Sequence, residues 1–284
     1  MFRLSLLGGV SLEGTSGPLT GRVVQQRQLA VLALLAAAGD RGLTRGKLVG
    51  YLWPEAAEER ARHSLNNSLH ILRGALGEDA VLSSGDVLRL NPDLVWSDVV
   101  AFLESLGCGD LEMAAHLYGG PFLDGFFVDG APEFDVWADA QRSVFANRYA
   151  GALEELASHA GETGDRVGAV EWWRRLCVLD PYNSRAALGL IEALAAAGDR
   201  GNALQHAEAH ERFLKEELGN ERSLILKFWA RIEILLRNTW LACISSRRKC
   251  SAFRCVMGGN FVMRTPNRFR ILWCHPKIRT VMWA

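Results

Sequence analysis

The sequence predicts a mainly α protein in which a small N-terminal α+β unit precedes an all-α run of helical hairpins. Three observations predict it. Short β-rich runs lie at residues 2–14 and 81–90, each interrupted by glycine. Between them, three segments carry apolar residues at helical density and spacing. Beyond Asp98 the helical stretches are separated by a recurring Gly-Asp pair.

FRLSLLGGVSLEG (residues 2–14) alternates and reads as one or two short strands. Residues 26–38 form a strongly apolar helix closed by Gly39-Asp40. Residues 44–52 form a shorter helix with Thr44 as its N-cap, since a hydroxyl oxygen can take up one of the free N–H groups there. Trp53-Pro54 breaks the chain before a third helix, 57–76. In that helix Ala61, Leu65, Leu69, Leu72 and Leu76 recur every three or four residues and form one apolar stripe. At about 100° per residue, Glu59, Arg60, His63, Asn66, Asn67, His70 and Gly74 point away from the stripe. Ser64 and Arg73 lie on its flanks. VLSSGDVLRL (residues 81–90) then sets β-rich runs on either side of Ser83-Ser84-Gly85-Asp86, a hairpin signal.

The all-α run has a repeated signature. Gly109-Asp110 is followed by Ala114, Gly164-Asp165 by Ala169, and Gly198-Asp199 by Ala203. The second and third copies are 34 residues apart, the period of tetratricopeptide (TPR) helix pairs. Small residues there let paired helices approach closely. Asp180-Pro181 marks another helix end.

Charge divides the chain in the same way. It is neutral overall, with 32 basic and 32 acidic residues. Residues 1–95 carry a net +1, 96–237 a net −10, and 238–284 a net +9 without a single acid. These are the three expected parts: an N-terminal domain, a helical domain and a basic, poorly ordered tail. The acidic middle repels a phosphate backbone, so any nucleic acid binds elsewhere.

Several function classes find no support. The longest apolar run, residues 29–38, has ten residues, short of the ~18 that span a membrane. No secretory leader pattern is evident, and the expected location is the cytoplasm. There is no phosphate-binding G-x-x-x-x-G-K-[ST] loop, no G-x-S-x-G elbow and no G-x-G-x-x-G fingerprint. His206 and His210 are four apart, a spacing that can share a metal, but they read as solvated surface histidines. Cys108 and Cys177 read as small buried apolar residues. Cys243, Cys250, Cys255 and Cys274 lie in the tail without the C-x2-C pair of a structural zinc site. The expectation is a protein that is not an enzyme and uses no cofactor or metal.

DNA binding is the positive expectation. A strand, three helices and a terminal hairpin are the elements of a winged helix-turn-helix, in their order. Its second helix crosses the DNA backbone and its third enters the major groove. Arg60, His63, Asn66 and Asn67 lie in the N-terminal half of the third helix and are the candidate base readers, since Asn pairs with adenine and Arg with guanine. Arg45, Lys47, Arg62, Ser64 and Arg73 are placed for phosphates, and Arg89 for a wing contact. The competing expectation is a TPR-type protein-interaction module with weak or no DNA binding.

The stretch RARHSLNNSLHILRGALG (residues 60–77) with VLSSGDVLRLNPD (residues 81–93) resembles the OmpR/PhoB-type winged helix of SARP-like transcriptional activators. VWSDVVAFLESL, LYGGPFLDGF, EFDVWADAQR, ALEELA and LKEELG resemble, in that order, their bacterial transcriptional activator domain. The resemblance covers about residues 1–235. It implies a TPR-like domain packed on a DNA-binding module, binding to double-stranded DNA as a dimer, and recruitment of RNA polymerase. It gives the recognition role to the helix at 57–76 and places polymerase contacts around residues 53–58.

Overall fold

The computed structural model describes residues 1–217, and everything below concerns these residues. The expected tail at 238–284 lies outside them. The chain is mainly helical, with a small sheet region at its N-terminus and a helical domain after it.

Strands β1 (Phe2–Ser5), β2 (Ser11–Gly14) and β3 (Gly17–Pro18) form an antiparallel meander. A further strand, numbered β7 in chain order (Val95–Ser97), joins it parallel to β1, with Phe2 opposite Val95. Helix α1 (Gln26–Ala38) has the bounds expected and ends with the apolar run at Ala38. Nine consecutive residues of it, Gln28 to Ala36, are buried, so it is the central post of the N-terminal part rather than a surface helix. Strand β4 (Leu43–Thr44) leads into α2 (Arg45–Leu52), whose first turn is capped by the Thr44 hydroxyl accepting from the Lys47 N–H at 3.3 Å. Helix α3 (Glu58–Leu76) follows, then the hairpin of β5 (Val81–Ser84) and β6 (Val87–Leu90). The hairpin turns over Gly85-Asp86, with Gly85 at φ +61°, a conformation that favours glycine. β4 pairs with β6, so the hairpin belongs to a three-stranded sheet with β6 at its centre and β5 at one edge.

The helical part contains α4 (Asp98–Cys108), α5 (Leu111–Leu117), α6 (Pro132–Thr163), α7 (Arg166–Leu179), α8 (Ser184–Ala196) and α9 (Arg200–Glu217). The Gly-Asp-Ala signature has a physical meaning at each joint. Gly109, Gly164 and Gly198 end a helix at φ +79°, +83° and +86°. Asp110, Asp165 and Asp199 cap the next helix, accepting from the N–H of Met113, Gly168 and Asn202 at 3.0, 3.0 and 3.3 Å. Ala114, Ala169 and Ala203 are buried against the partner helix. The three copies are one device used three times.

One apolar core runs from Leu4 through α1, α3 and α6 to Ala186. Its centre is aromatic: Phe122 meets Phe145 at 5.0 Å between ring centroids, and Tyr118 stacks on Tyr149 at 4.1 Å. Such pairs add about 0.5–1.5 kcal/mol each beyond area burial. Two polar ties hold the sheet to the helices. The Asp98 carboxylate is buried and accepts from the N–H groups of Leu6, Leu7 and Val99 at 2.7–2.9 Å. Burial pushes that carboxyl above its usual range, against the pull of the three N–H donors and of Arg3. The second tie is Arg142 on α6, which donates to the carbonyls of Phe122, Leu123 and Phe126. It thereby fixes the strap at residues 119–131. The strap also takes a hydrogen bond from the Gly8 N–H to the Pro121 carbonyl and bridges Leu7 to Phe122. Gly119 is required there, since a Cβ would lie 2.9 Å from the Leu7 carbonyl oxygen.

Two sequence expectations are corrected. Cys108 is exposed, not buried: it is the last residue of α4, and its neighbours Gly107, Gly109 and Asp110 are exposed with it. His206 and His210 are not solvated. They share the face of α9 that carries Ala203, Ala207 and Leu214, all buried. His210 is 6% exposed and bonded to the Ser184 hydroxyl at 3.2 Å. His206 is half-buried, and its Nε2 has no hydrogen-bond partner among the described residues.

Candidate nucleic-acid interface

Helix α3 has two distinct faces. Ala61, Leu65, Leu69, Leu72 and Leu76 are all at most 3% exposed. Each buried leucine contributes about 1.5–3 kcal/mol, so this stripe fixes the rotation of the helix about its axis. The opposite face is thereby set outward: Arg60, His63, Asn66, Asn67 and His70 are exposed. Ser68 joins the buried side, and Ser64 is half-buried on the flank.

The surrounding cations differ in what they already hold. Lys47 is exposed on α2. Arg62 pairs with Glu58 at 2.6 Å, but both side chains are about 70% exposed (69% and 74%). Such a pair is worth no more than about 0.5 kcal/mol, so Arg62 is free to change partner. Arg73 is committed: it donates to the Val81 carbonyl at 2.9 Å and to the Ser83 hydroxyl at 2.8 Å, joining α3 to the hairpin. Arg89, half-buried on β6, points its Nη1 at the Asp40 carbonyl at 3.5 Å. Arg45 donates to Asn66 Oδ1 at 2.9 Å. The structure thus brings Arg45, Asn66, Asn67 and His63 to one surface, and sets Arg73 and Arg89 against the hairpin.

Sequence reasoning missed a neighbouring group. A shallow cleft beside α3 is lined by Gln25, Gln26, Arg27 and Gln28 from the start of α1, by Trp53, and by His63, Ser64 and Asn67. Arg27 lies over the Trp53 ring at 5.4 Å and donates to the carbonyls of Leu52 and Asp129. Burial lowers its pKa, and Asp129 opposes that shift. The basic Q-Q-R-Q run at the head of an apolar helix was the available signal.

No group of three or more His, Cys, Asp or Glu side chains among the described residues is arranged to hold a metal. No described helix is long and apolar enough to cross a membrane.

Residues 107–229 match the family described as bacterial transcriptional activator domain. The SARP-like resemblance is upheld on that domain, which points to a regulator of transcription rather than to an enzyme. The matched stretch opens in the last turn of α4 and takes in all three Gly-Asp joints. The fold is similar to that of Mycobacterium tuberculosis EmbR, solved in complex with a low-affinity phosphopeptide. The TM-score is 0.56 at 18% identity, over 88% of this chain and 72% of that one. The likeness extends the match in fold beyond the activator domain to the N-terminal elements. No curated protein matches the sequence.

Proposed function

We propose that this protein is a sequence-specific DNA-binding regulator, with residues 1–95 as a winged helix-turn-helix and residues 96–237 as the activator part. The observation that carries the reading is the polar outer face of α3. Its buried leucine stripe forces Arg60, His63, Asn66 and Asn67 outward together, beside a hairpin that Arg73 holds as a wing. On DNA, α3 lies in the major groove with these four side chains at base edges. Lys47 and Arg62 meet phosphates, as does Ser64 at its flank, and Arg89 follows the wing. The family implies a dimer on repeated sites and recruitment of RNA polymerase through the surface around residues 53–58.

The test is selection of genomic DNA fragments by the full chain, beside the double variant Arg60→Ala/Asn67→Ala. Both residues are exposed, so the variant folds. The expected result is an enriched site bound at least about 10³-fold tighter than random DNA and lost in the variant. Unchanged affinity in the variant removes this face from the mechanism.

A second reading has one observation behind it. The net −10 of residues 96–237 suits a basic protein partner rather than a phosphate backbone. If the chain enriches no DNA site yet binds a basic peptide in a salt-sensitive way, the helical part is the working surface.

A further inference from the structure

Arg45 is the first residue of α2, yet its surroundings differ from those of a phosphate anchor. Its backbone N–H donates to the Asp86 carbonyl in the hairpin turn at 2.9 Å. Its guanidinium donates through Nη1 to Asn66 Oδ1 at 2.9 Å. It therefore ties three elements of the interface together: α2, the hairpin and α3.

The direction of the Arg45–Asn66 bond is fixed by chemistry. A guanidinium has five N–H donors and no acceptor, so the amide facing it presents its oxygen. What Asn66 has left is its NH2 group, two donors, and the second lone pair of an oxygen that is turned toward the guanidinium. The bidentate pairing of asparagine with adenine needs both halves of the amide: the oxygen for the N6 amine and the NH2 for N7. With its oxygen turned toward Arg45, Asn66 leads with its NH2 and presents the oxygen poorly to an amine. Guanine presents two adjacent acceptors, O6 and N7, whereas adenine places a donor beside its N7. An outward-facing NH2 thus favours guanine. Asn67 is also exposed, and its amide has no hydrogen-bond partner among the described residues, so it keeps both halves available for adenine.

We infer that Arg45 is a positioning residue that presets Asn66 as a hydrogen-bond donor, so that Asn66 selects a guanine edge and Asn67 an adenine. This rests on the DNA-binding reading above and names what its central side chains recognise. Two adjacent asparagines, alike in sequence, become readers of different bases because only one lies within reach of Arg45.

The experiment is binding-site selection with the full chain, its Arg45→Ala variant and its Asn66→Asp variant, each followed by titration against salt. In the wild type the position read by Asn66 is guanine. Arg45→Ala frees the Asn66 oxygen, and adenine gains at least about fivefold on guanine at that one position, the low end of bidentate discrimination. Asn66→Asp still accepts from Arg45 but turns an acceptor outward, so cytosine, with its N4 amine, replaces guanine there. Asn66 is exposed, so this variant keeps the inference testable even if Arg45→Ala disturbs α2. An Arg45→Ala motif unchanged at every position, with a uniform loss of affinity and a salt slope shallower by about one, would make Arg45 a phosphate anchor and overturn the inference alone. A wild-type chain that enriches no site overturns the DNA-binding reading and this inference with it.

Discussion

The Gly-Asp joints of the helical part and the strap at residues 119–131 both bring segments of chain together, but by opposite means. At each joint the work is local. A left-handed glycine stops one helix, and an aspartate one residue later caps the next by accepting from a backbone N–H three residues on. At the strap, and at the end of β1 that it meets, the work is done over long range. The Asp98 carboxylate holds the end of β1 across about ninety residues of sequence (91 and 92), and Arg142 holds three strap carbonyls from the first third of α6. The difference sets how much each is worth. A local cap offsets about 1 kcal/mol, because water can replace it. A buried carboxylate that satisfies several N–H groups is worth far more, because its loss leaves those donors bare in the core.

The sharpest way to break this comparison is Asp98→Ala. Three backbone N–H groups lose their acceptor at a site that is 6% exposed. Each bare donor costs about 1–3 kcal/mol, so the expected loss is about 3 kcal/mol or more, read from the urea midpoint. A loss below about 1 kcal/mol would mean that the sheet is not held by this carboxylate and that the aromatic core carries the junction alone. Arg142→Leu comes next, at about 2 kcal/mol. It keeps some of the packing but takes the side-chain donor from the carbonyls of Phe122, Leu123 and Phe126, of which Leu123 keeps the Phe126 N–H. Its ion pair with Asp139 adds little, since that carboxylate is 71% exposed. The strap backbone is strained as well: Leu123 is the one described non-glycine residue at positive φ, +53°. The variant should therefore expose the strap to protease before the rest of the fold opens.

A smaller effect depends on pH. Burial, with Arg174 nearby, lowers the pKa of His206, and burial, with His206 nearby, lowers that of His210. Both imidazoles are thus held neutral in the folded chain. The unfolded chain takes up protons near pH 6.5, the folded one only below that. The pair's contribution to stability is complete above about pH 6.5 and is lost as the pH falls through that range to the lowered native values. The melting temperature should drop between pH 7.5 and 5.5, and the double variant His206→Gln/His210→Gln should show a shallower drop over the same interval. An equal drop in the variant would assign the acid sensitivity to the carboxylates.

What the sequence disclosed follows the same division between local and distant causes. The boundaries of α1, the Thr44 cap, the two faces of α3 and the three joints were legible, because each rests on residues within one or two helical turns. Residues 95–97 did not announce themselves as a strand, since their partner is β1 at the other end of the N-terminal part. Asp98 stands in the sequence only as the start of the helical run, and the fold alone brings Leu6 and Leu7 to it. The α9 histidines were misjudged because two polar residues in a surface-like sequence gave no sign of the alanine face they share. At the interface the outward set Arg60, His63, Asn66 and Asn67 followed from helical periodicity. The Arg45–Asn66 bond did not, because it crosses from α2 to α3.

The smallest expected effect tests whether the three joints are one device. Asp110→Ala, Asp165→Ala and Asp199→Ala each remove a single cap, at about 1 kcal/mol apiece. If the joints act alike, the first two variants should match within a few tenths of a kcal/mol, since their caps have equal lengths of 3.0 Å. Asp199→Ala should cost somewhat less through its 3.3 Å backbone bond, with a second loss where the same carboxylate accepts from the Asn202 side chain at 2.6 Å. The caps are far apart along the chain and share no partner, so the triple variant should lose the sum of the three. A triple variant much less stable than that sum would show that the joints are coupled through the stacking of α6 to α9. The helical part would then respond as one body to whatever seats on it.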